Sequence, residues 1–85
     1  MPELTEKISG LVETVVRPLI EFQDELEVSA FEESGRTVVV ELRVNEADAG
    51  KVIGRQGRII KAIRTVARAA ASQEDAHAEV ELIED

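Results

Sequence analysis

Two glycines three positions apart, Gly54 and Gly57, enclose the polar pair Arg55 and Gln56 in the second half of the sequence. Six of the chain's ten Lys and Arg residues lie in one acid-free stretch around this pair: Lys51, Arg55, Arg58, Lys61, Arg64 and Arg68. Glycines permit a sharp turn and keep side chains off the main chain, so backbone N–H groups can meet an anion. The neighbouring arginines add mobile positive charge. The chemistry that this stretch predicts is anion binding, with phosphate as the expected anion.

The chain as a whole is acidic, which makes the basic stretch exceptional. Its 85 residues include 18 Asp and Glu and carry a formal net charge of −8. This balance disfavours indiscriminate binding to nucleic acid but permits a local basic site. The absence of cysteine suits a reducing compartment, and no apolar run approaches the roughly twenty residues needed to cross a bilayer. We therefore expect one small cytoplasmic domain, residues 1–85, with no membrane association.

The elements that must position the glycine turn begin with a helix and a hairpin. One helix with a kink at Pro18 is predicted from an apolar stripe at steps of three or four: Leu4, Ile8, Leu11, Val15, Leu19 and Phe22. A half-buried strand follows at residues 26–31, and a turn at Gly35 leads into a second strand at residues 36–44. Because the turn is short, the two strands should form an antiparallel hairpin.

Two helices and a closing strand complete the chain. Asn45 can cap a short helix that ends at Gly54, and a longer helix begins near Gly57. The core-facing stripe of the longer helix is predicted to be Ile60, Ile63, Ala67 and Ala70. The closing strand, residues 77–84, alternates apolar and acidic positions. The order α-β-β-α-α-β predicts an α+β fold, in which helices pack on one face of a three-stranded mixed sheet.

The glycine turn and its flanks resemble a known family signature. The segment Val-Ile-Gly-Arg-Gln-Gly-Arg-Ile-Ile-Lys-Ala-Ile, residues 52–63, resembles the KH domain, in which a Gly-x-x-Gly loop between two helices clamps about four nucleotides of single strand. The element order is similar to the type II arrangement, with a KH core motif at about 36–85 and an N-terminal helix and first strand at 3–33. The whole chain is most similar to the KhpA family of small bacterial KH-domain proteins.

This resemblance implies a function in RNA metabolism. It implies a single-stranded RNA-binding protein that acts as an RNA chaperone or post-transcriptional regulator. It also implies a homodimer, or a heterodimer with a larger KH-containing protein (KhpB, also called Jag or EloR), and a link to cell-wall synthesis and cell length. The alternative is a dimerisation or scaffold subunit whose partner supplies the RNA affinity.

The resemblance also assigns roles by position. Gly54 and Gly57 would shape the loop, and Arg55 and Gln56 would face the RNA backbone. The flanking basic candidates are Lys51, Arg58 and, with a weaker claim, Lys61 and Arg64. The residues that would wall the groove for the bases are Val52, Ile53 and Ile60. A self-association patch is expected on the longer helix at Ile59, Ala62, Ala69 and Ala71.

Other kinds of site have weak support in the sequence. The glycine turn lacks the Lys-Ser/Thr of a P-loop, and no nucleophile and base stand together, so we expect no catalytic residue and no cofactor. His77 and the outward Glu41, Glu79 and Glu81 are interpreted as structural and solvated residues, so we expect no metal site. The two aromatic residues, Phe22 and Phe31, are expected to be at least partly buried, which argues against proteins that stack bases on aromatic rings.

Overall fold

Three helices and three strands make up the computed structural model, which describes residues 2–84. The elements in chain order are α1 (Pro2–Val16), β1 (Glu27–Glu33), β2 (Thr37–Arg43), α2 (Ala49–Ile53), α3 (Arg58–Ser72) and β3 (His77–Leu82). This order confirms the predicted α-β-β-α-α-β arrangement and the α+β fold class. No helix within the described residues has the length and apolar character needed to cross a bilayer.

The three strands form one mixed sheet in the order β1-β2-β3. β1 and β2 are antiparallel, with Ala30 opposite Val40, and β2 and β3 are parallel, with Val40 opposite Val80. The parallel pair needs a crossover connection, and α2 and α3 supply it. The sheet topology therefore matches the prediction made from the element order.

The core lies between the helices and one face of the sheet. The central strand β2 turns Val38, Val40 and Leu42 to this side, and all three are 0% exposed. Helix α3 contributes Ile60, Ile63, Ala67 and Ala71. The sequence placed Ala70 in this stripe and Ala71 in a self-association patch, but Ala71 is fully buried and Ala70 only half-buried. Ala71 therefore belongs to the core and cannot lie at an interface.

The first helix ends earlier than the sequence indicated. Instead of one kinked helix reaching Phe22, α1 stops at Val16, and a 3₁₀ turn at Arg17–Leu19 contains the proline. Pro18 has no N–H to donate and its ring clashes with the preceding turn, so the helix ends instead of bending. The buried stripe also runs at a strict step of four, through Leu4, Ile8, Val12, Val16 and Ile20. The predicted stripe was wrong after Ile8.

The two aromatic residues are more open than expected. Phe22 is 37% exposed and Phe31 is 44% exposed. Phe22 follows the 3₁₀ turn, whereas Phe31 lies on the face of the sheet that no helix covers, in register with Val39. The helices therefore cover only one face of the sheet, and Phe31 remains open to solvent on the other face.

Candidate nucleic-acid interface

The glycine turn is a tight link between α2 and α3. The backbone N–H of Gly54 donates to the carbonyl of Gly50 at 2.9 Å, which closes α2, and the N–H of Gly57 donates to the carbonyl of Gly54 at 3.1 Å. Three of the four residues have a positive φ: Gly54 at 76°, Gln56 at 59° and Gly57 at 74°. L-residues rarely adopt such angles, so glycine is the favoured residue at both ends of this turn.

The two glycines are required for different reasons. A Cβ on Gly54 would lie 2.6 Å from Cγ1 of Ile59, far inside van der Waals contact. Its angles, φ 76° and ψ 173°, fall in a region that is essentially restricted to glycine. A Cβ on Gly57 would meet nothing closer than 3.8 Å, at Cε of Lys61. Gly54 is therefore fixed by packing and backbone, and Gly57 by its left-handed backbone alone.

The N-terminus of α3 has no side-chain cap. Gly57 occupies the N-cap position, and no side chain among residues 2–84 caps it. The backbone N–H groups of Gly57 and Arg58 donate to the carbonyls of Gly54 and Arg55, so these two donors are used within the turn. The partial positive charge of a helix N-terminus adds to this site. The N-terminus of α3 is therefore an electrostatically favourable position for an anion.

Polar side chains of the turn project into solvent beside these donors. Arg55, Gln56 and Arg58 are all exposed. The Arg58 guanidinium donates to the side-chain oxygen of Gln56 over a long 3.4 Å, a weak and easily broken contact. The two arginines are therefore available to an anion that approaches the turn.

A second basic surface continues along α3. Arg64 and Arg68 lie on the flank of α3 that faces the outer edge of β3, where the Nε of Arg64 donates to the backbone carbonyl of Val80 at 3.1 Å. Between this flank and the strand lies an open cavity of about 590 Å³. Its polar lining is acidic as well as basic: Arg64, Arg68, Thr37, His77, Glu79 and Glu81. Arg64 was only a weak candidate from sequence. The contact with the backbone of β3 places Arg64 beside this cavity, and no pattern in the sequence indicates that contact.

Of the three apolar residues that were predicted to line the groove for the bases, two lie in the core and one lies at the surface. Val52 is 0% exposed and Ile60 is 7% exposed, so both anchor the helices to the core. Ile53 is half-buried and keeps part of its side chain open to solvent. Lys61 is exposed near the start of α3, where its stem approaches Gly57.

Lys51 is tied to carboxylates in this structure. Its Nζ lies 3.2 Å from an Asp48 oxygen and 3.8 Å from a Glu21 oxygen. The lysine side chain is nevertheless 49% exposed, so its charge remains accessible beside the loop. These carboxylates therefore partly neutralise its positive charge.

Asp48 is the one buried charged residue among residues 2–84. Its oxygens accept from the backbone N–H groups of Glu21 and Phe22 at 3.0 and 2.9 Å, and from Lys51. Burial raises the pKa of the carboxyl, but the two backbone donors and then Lys51 outweigh it, so the pKa lies below its ordinary value. Asp48 links the segment after α1 to the start of α2, and so positions the helix that leads into the glycine turn.

Groups that could bind a metal do not gather. Among residues 2–84, no three His, Asp or Glu side chains come together in a metal-binding arrangement. Glu41 and Glu81 are opposite each other in the sheet, and His77 is exposed at the start of β3.

Comparison with known proteins identifies the family. The family model described as "KhpA/KhpB, KH domain" matches residues 9–82. The "RNA-binding protein KhpA" of Clostridium acetobutylicum is 49% identical over 74 residues, covering 86% of this chain and 96% of that protein. The protein of the same name from Borreliella burgdorferi is 36% identical over 74 residues, covering 87% and 89% of the two chains.

A solved structure shares the fold. The crystal structure of Era from Aquifex aeolicus, bound to GDP and AlF4−, matches 96% of this chain with a TM-score of 0.65. The sequence identity is 18%, and the matched part is 32% of the Era chain, so this likeness concerns the fold alone. With a family model that covers most of its length and curated relatives that match nearly end to end, the chain belongs to the KhpA/KhpB family of KH domains, as its sequence predicted.

Proposed function

We propose that this protein binds a short segment of single-stranded RNA, with phosphates on the turn from Gly54 to Gly57 and bases in the groove between α3 and β3. The observation that carries the proposal is the uncapped N-terminus of α3, which lies next to the exposed Arg55 and Arg58. An unpaired strand offers phosphates and unstacked bases together, which is the combination that a charged turn beside a groove can recognise.

The spacing along α3 suits a strand that leaves the turn and follows the groove. Arg64 lies six residues beyond Arg58, or about 9 Å along the helix axis at 1.5 Å per residue. Arg64 and Arg68 then neutralise phosphates or contact bases beside the β3 edge. A duplex does not fit this arrangement well, because its bases are stacked inside and its outer surface is mostly phosphate.

The names of the relatives support the choice of RNA. The proteins from Clostridium acetobutylicum and Borreliella burgdorferi are both called RNA-binding proteins. We extend the proposal to a cytoplasmic RNA chaperone or post-transcriptional regulator without catalytic activity, linked to cell-wall synthesis and cell length. A KhpB-like (Jag or EloR) protein with its own KH domain is the proposed larger partner.

Binding by one such domain is expected to be weak, because about four nucleotides offer few contacts. Dimerisation would place a second turn on the same RNA and raise the effective concentration of each site. The side of α3 that carries half-buried Ile59 also exposes Val66, at 40%, together with Ala62 and Ala69. We assign self-association, or pairing with the larger partner, to this α3 patch: Ile59, Ala62, Val66 and Ala69.

The test is an RNA titration with a matched control. We compare the wild type with Arg55→Asp/Gln56→Asp, which keeps both glycines and places aspartate, a residue that tolerates left-handed φ, at position 56. The control, Lys7→Asp/Gly10→Asp, makes the same change in net charge on the exposed side of α1, where Gly10 faces open space. Circular dichroism checks that all three proteins are folded.

The expected result is a loss of at least about tenfold in affinity for a fluorescent single-stranded RNA in the turn variant, and about twofold or less in the control. If both variants lose affinity equally, general charge repulsion explains the loss and the turn is not the site. If the wild type does not bind RNA, the alternative holds, in which this chain is a dimerisation subunit and its partner supplies the RNA affinity.

A further inference from the structure

The face of the sheet that no helix covers carries a defined surface with an apolar centre and an acidic rim. We call it the sheet-face patch, and its residues are Phe31, Val39, Glu33, Glu41, Glu79 and Glu81. Arg43, in register with Glu27, projects from the same face at one end of the patch. It lies on the opposite side of the sheet from the helices and hence from the glycine turn. Two of its residues, Glu79 and Glu81, also line the cavity between α3 and β3 in which we propose that RNA lies.

The apolar centre is an aromatic side chain beside a buried valine. Phe31 and Val39 are opposite each other across the antiparallel pair, so their side chains project from the same face. Val39 is only 3% exposed although it lies outside the contiguous core cluster, whereas Phe31 is 44% exposed. A large aromatic side chain that is open to solvent on a sheet face is a natural anchor point for a partner.

The rim concentrates negative charge in an arrangement that is unfavourable for the isolated domain. Glu41 and Glu81 are directly opposite each other in the parallel pair, and Glu79 neighbours Val39. Like charges directly opposite each other destabilise a sheet. None of the four rim glutamates takes part in an ion pair among residues 2–84. A bound cationic group would reduce the repulsion between the carboxylates and would form an ion pair with one of them.

The chemistry of the patch selects among occupants. Phosphate-rich ligands are repelled, and no three of the described carboxylates gather closely enough to hold a metal ion. We propose that the sheet-face patch docks a Lys/Arg-rich segment of a protein partner, with one apolar side chain on Phe31 and its cations on the surrounding glutamates. Charge complementarity and the exposed aromatic centre together point to this occupant.

The size of the patch limits the partner to a short segment. Three strands spaced about 4.8 Å apart and seven residues of β2 give a surface about 10 Å wide and 23 Å long. This is much less than the roughly 800 Å² per partner of a standard interface. We therefore expect modest affinity that falls with salt, because the pairing charges are exposed. Docking on this face leaves the glycine turn free, whereas the segment would share Glu79 and Glu81 with the groove between α3 and β3.

The probe is a fluorescein-labelled seven-residue peptide with a central leucine and three lysines or arginines on each side. Glu79→Lys/Glu81→Lys reverses two rim charges, and Glu3→Lys/Glu6→Lys makes the same net change on the exposed side of α1. We expect peptide affinity to fall at least tenfold in the sheet variant and about twofold or less in the α1 variant. Equal losses in both would show non-specific attraction and overturn the proposal.

Two further measurements locate the docking and identify its occupant. Amide chemical shifts should change on β1 to β3, and Phe31→Ser should abolish the preference for this peptide over one with serine in place of leucine. Shift changes confined to α1 or α3, or no binding at about 0.15 M salt, would contradict the proposal. If the wild type self-associates in sedimentation and Glu79→Lys/Glu81→Lys abolishes this, the occupant is a second copy and the basic-segment proposal is wrong.

Discussion

Gly54 and Ile59 approach each other so closely across the turn that a Cβ on the glycine would lie 2.6 Å from the Cγ1 of the isoleucine. Gly54→Ala must therefore move Ile59 as well as adopt a backbone region that alanine avoids. We expect a loss of about 3 kcal/mol in the free energy of unfolding, from combined strain and overpacking. Gly57→Ala, where the added Cβ has space, should cost about 1 kcal/mol. Urea denaturation of both variants gives the comparison.

The informative result is which of the two glycine substitutions lowers the free energy of unfolding more. A small domain has only about 5–15 kcal/mol of stability, so the Gly54 variant should unfold at a clearly lower urea concentration. Gly57→Asn serves as a control, because asparagine tolerates left-handed φ better than alanine does. Equal losses at the two glycines would mean that the contact with Ile59 does not restrict the turn.

The Asp48 carboxylate makes folding stability depend on pH. Burial raises the pKa of Asp48, and the backbone N–H groups of Glu21 and Phe22 and then Lys51 lower it further than burial raises it. The folded state thus holds the charged form more strongly than the unfolded state does. The resulting stability is present above the ordinary Asp pKa of about 3.9 and is lost as the pH falls through the lower folded value.

We therefore expect Asp48→Asn to be less stable than the wild type at pH 7. The NH₂ group of the asparagine amide would face the backbone N–H groups of Glu21 and Phe22, and two donors cannot form a hydrogen bond. The difference in stability should narrow as the pH falls below about 4, where the wild type loses its charged hydrogen bonds. Urea midpoints at several pH values measure this. Asp24→Asn, at an exposed position, is the control and should change little at any pH. A difference that stays constant from neutral pH to pH 3 would refute the linkage.

Arg64 should contribute to RNA binding more than to folding. Its Nε donates to the Val80 carbonyl, a contact whose loss should cost about 1 kcal/mol of stability. If Arg64 also meets a phosphate, Arg64→Ala should reduce the slope of log affinity against log salt by about 0.7. Arg43→Ala removes the same charge from the other side of the sheet and should leave the slope unchanged. Titrations at three salt concentrations measure both slopes.

The exposed side of α3 should control self-association. Val66 is 40% exposed in the middle of the α3 patch, so Val66→Asp would place a charge at the centre of a dimer interface. We expect the variant to sediment as a monomer at concentrations where the wild type is a dimer, and to keep its circular dichroism spectrum. Thr65→Asp, at the neighbouring exposed position outside the patch, is the control. If Val66→Asp formed dimers as stable as those of the wild type, the α3 patch would not be the dimer interface.

Local patterns in the sequence were sufficient to predict the sheet and the turn between the helices. The alternation of apolar residues along β2 and β3 gave the buried face, because neighbouring positions of a strand project to opposite sides. The glycine pair gave the position and shape of the turn, because backbone angles of this kind select glycine directly. The length of the crossover gave the parallel pairing of β2 and β3.

The helix before the hairpin shows where such patterns are insufficient. Both the predicted and the observed stripes of α1 begin at Leu4 and Ile8, and both are compatible with a helix. Packing against the sheet selected Val12 and Val16, because helix propensity and spacing alone do not fix which side of a helix is buried. The proline then ended the helix, where the sequence had been interpreted as a kink.

By itself the sequence determined the order of the elements, the glycine turn and the segregation of positive charge around it, because each depends on residues adjacent along the chain. Only the tertiary structure decided that Asp48 joins the segment after α1 to α2, that Arg64 reaches the edge of β3, and that Phe31 stands open on the far face. Each of these depends on groups that lie far apart in the sequence. Contacts of this kind leave no periodic pattern, so they emerge only when packing brings the partners together.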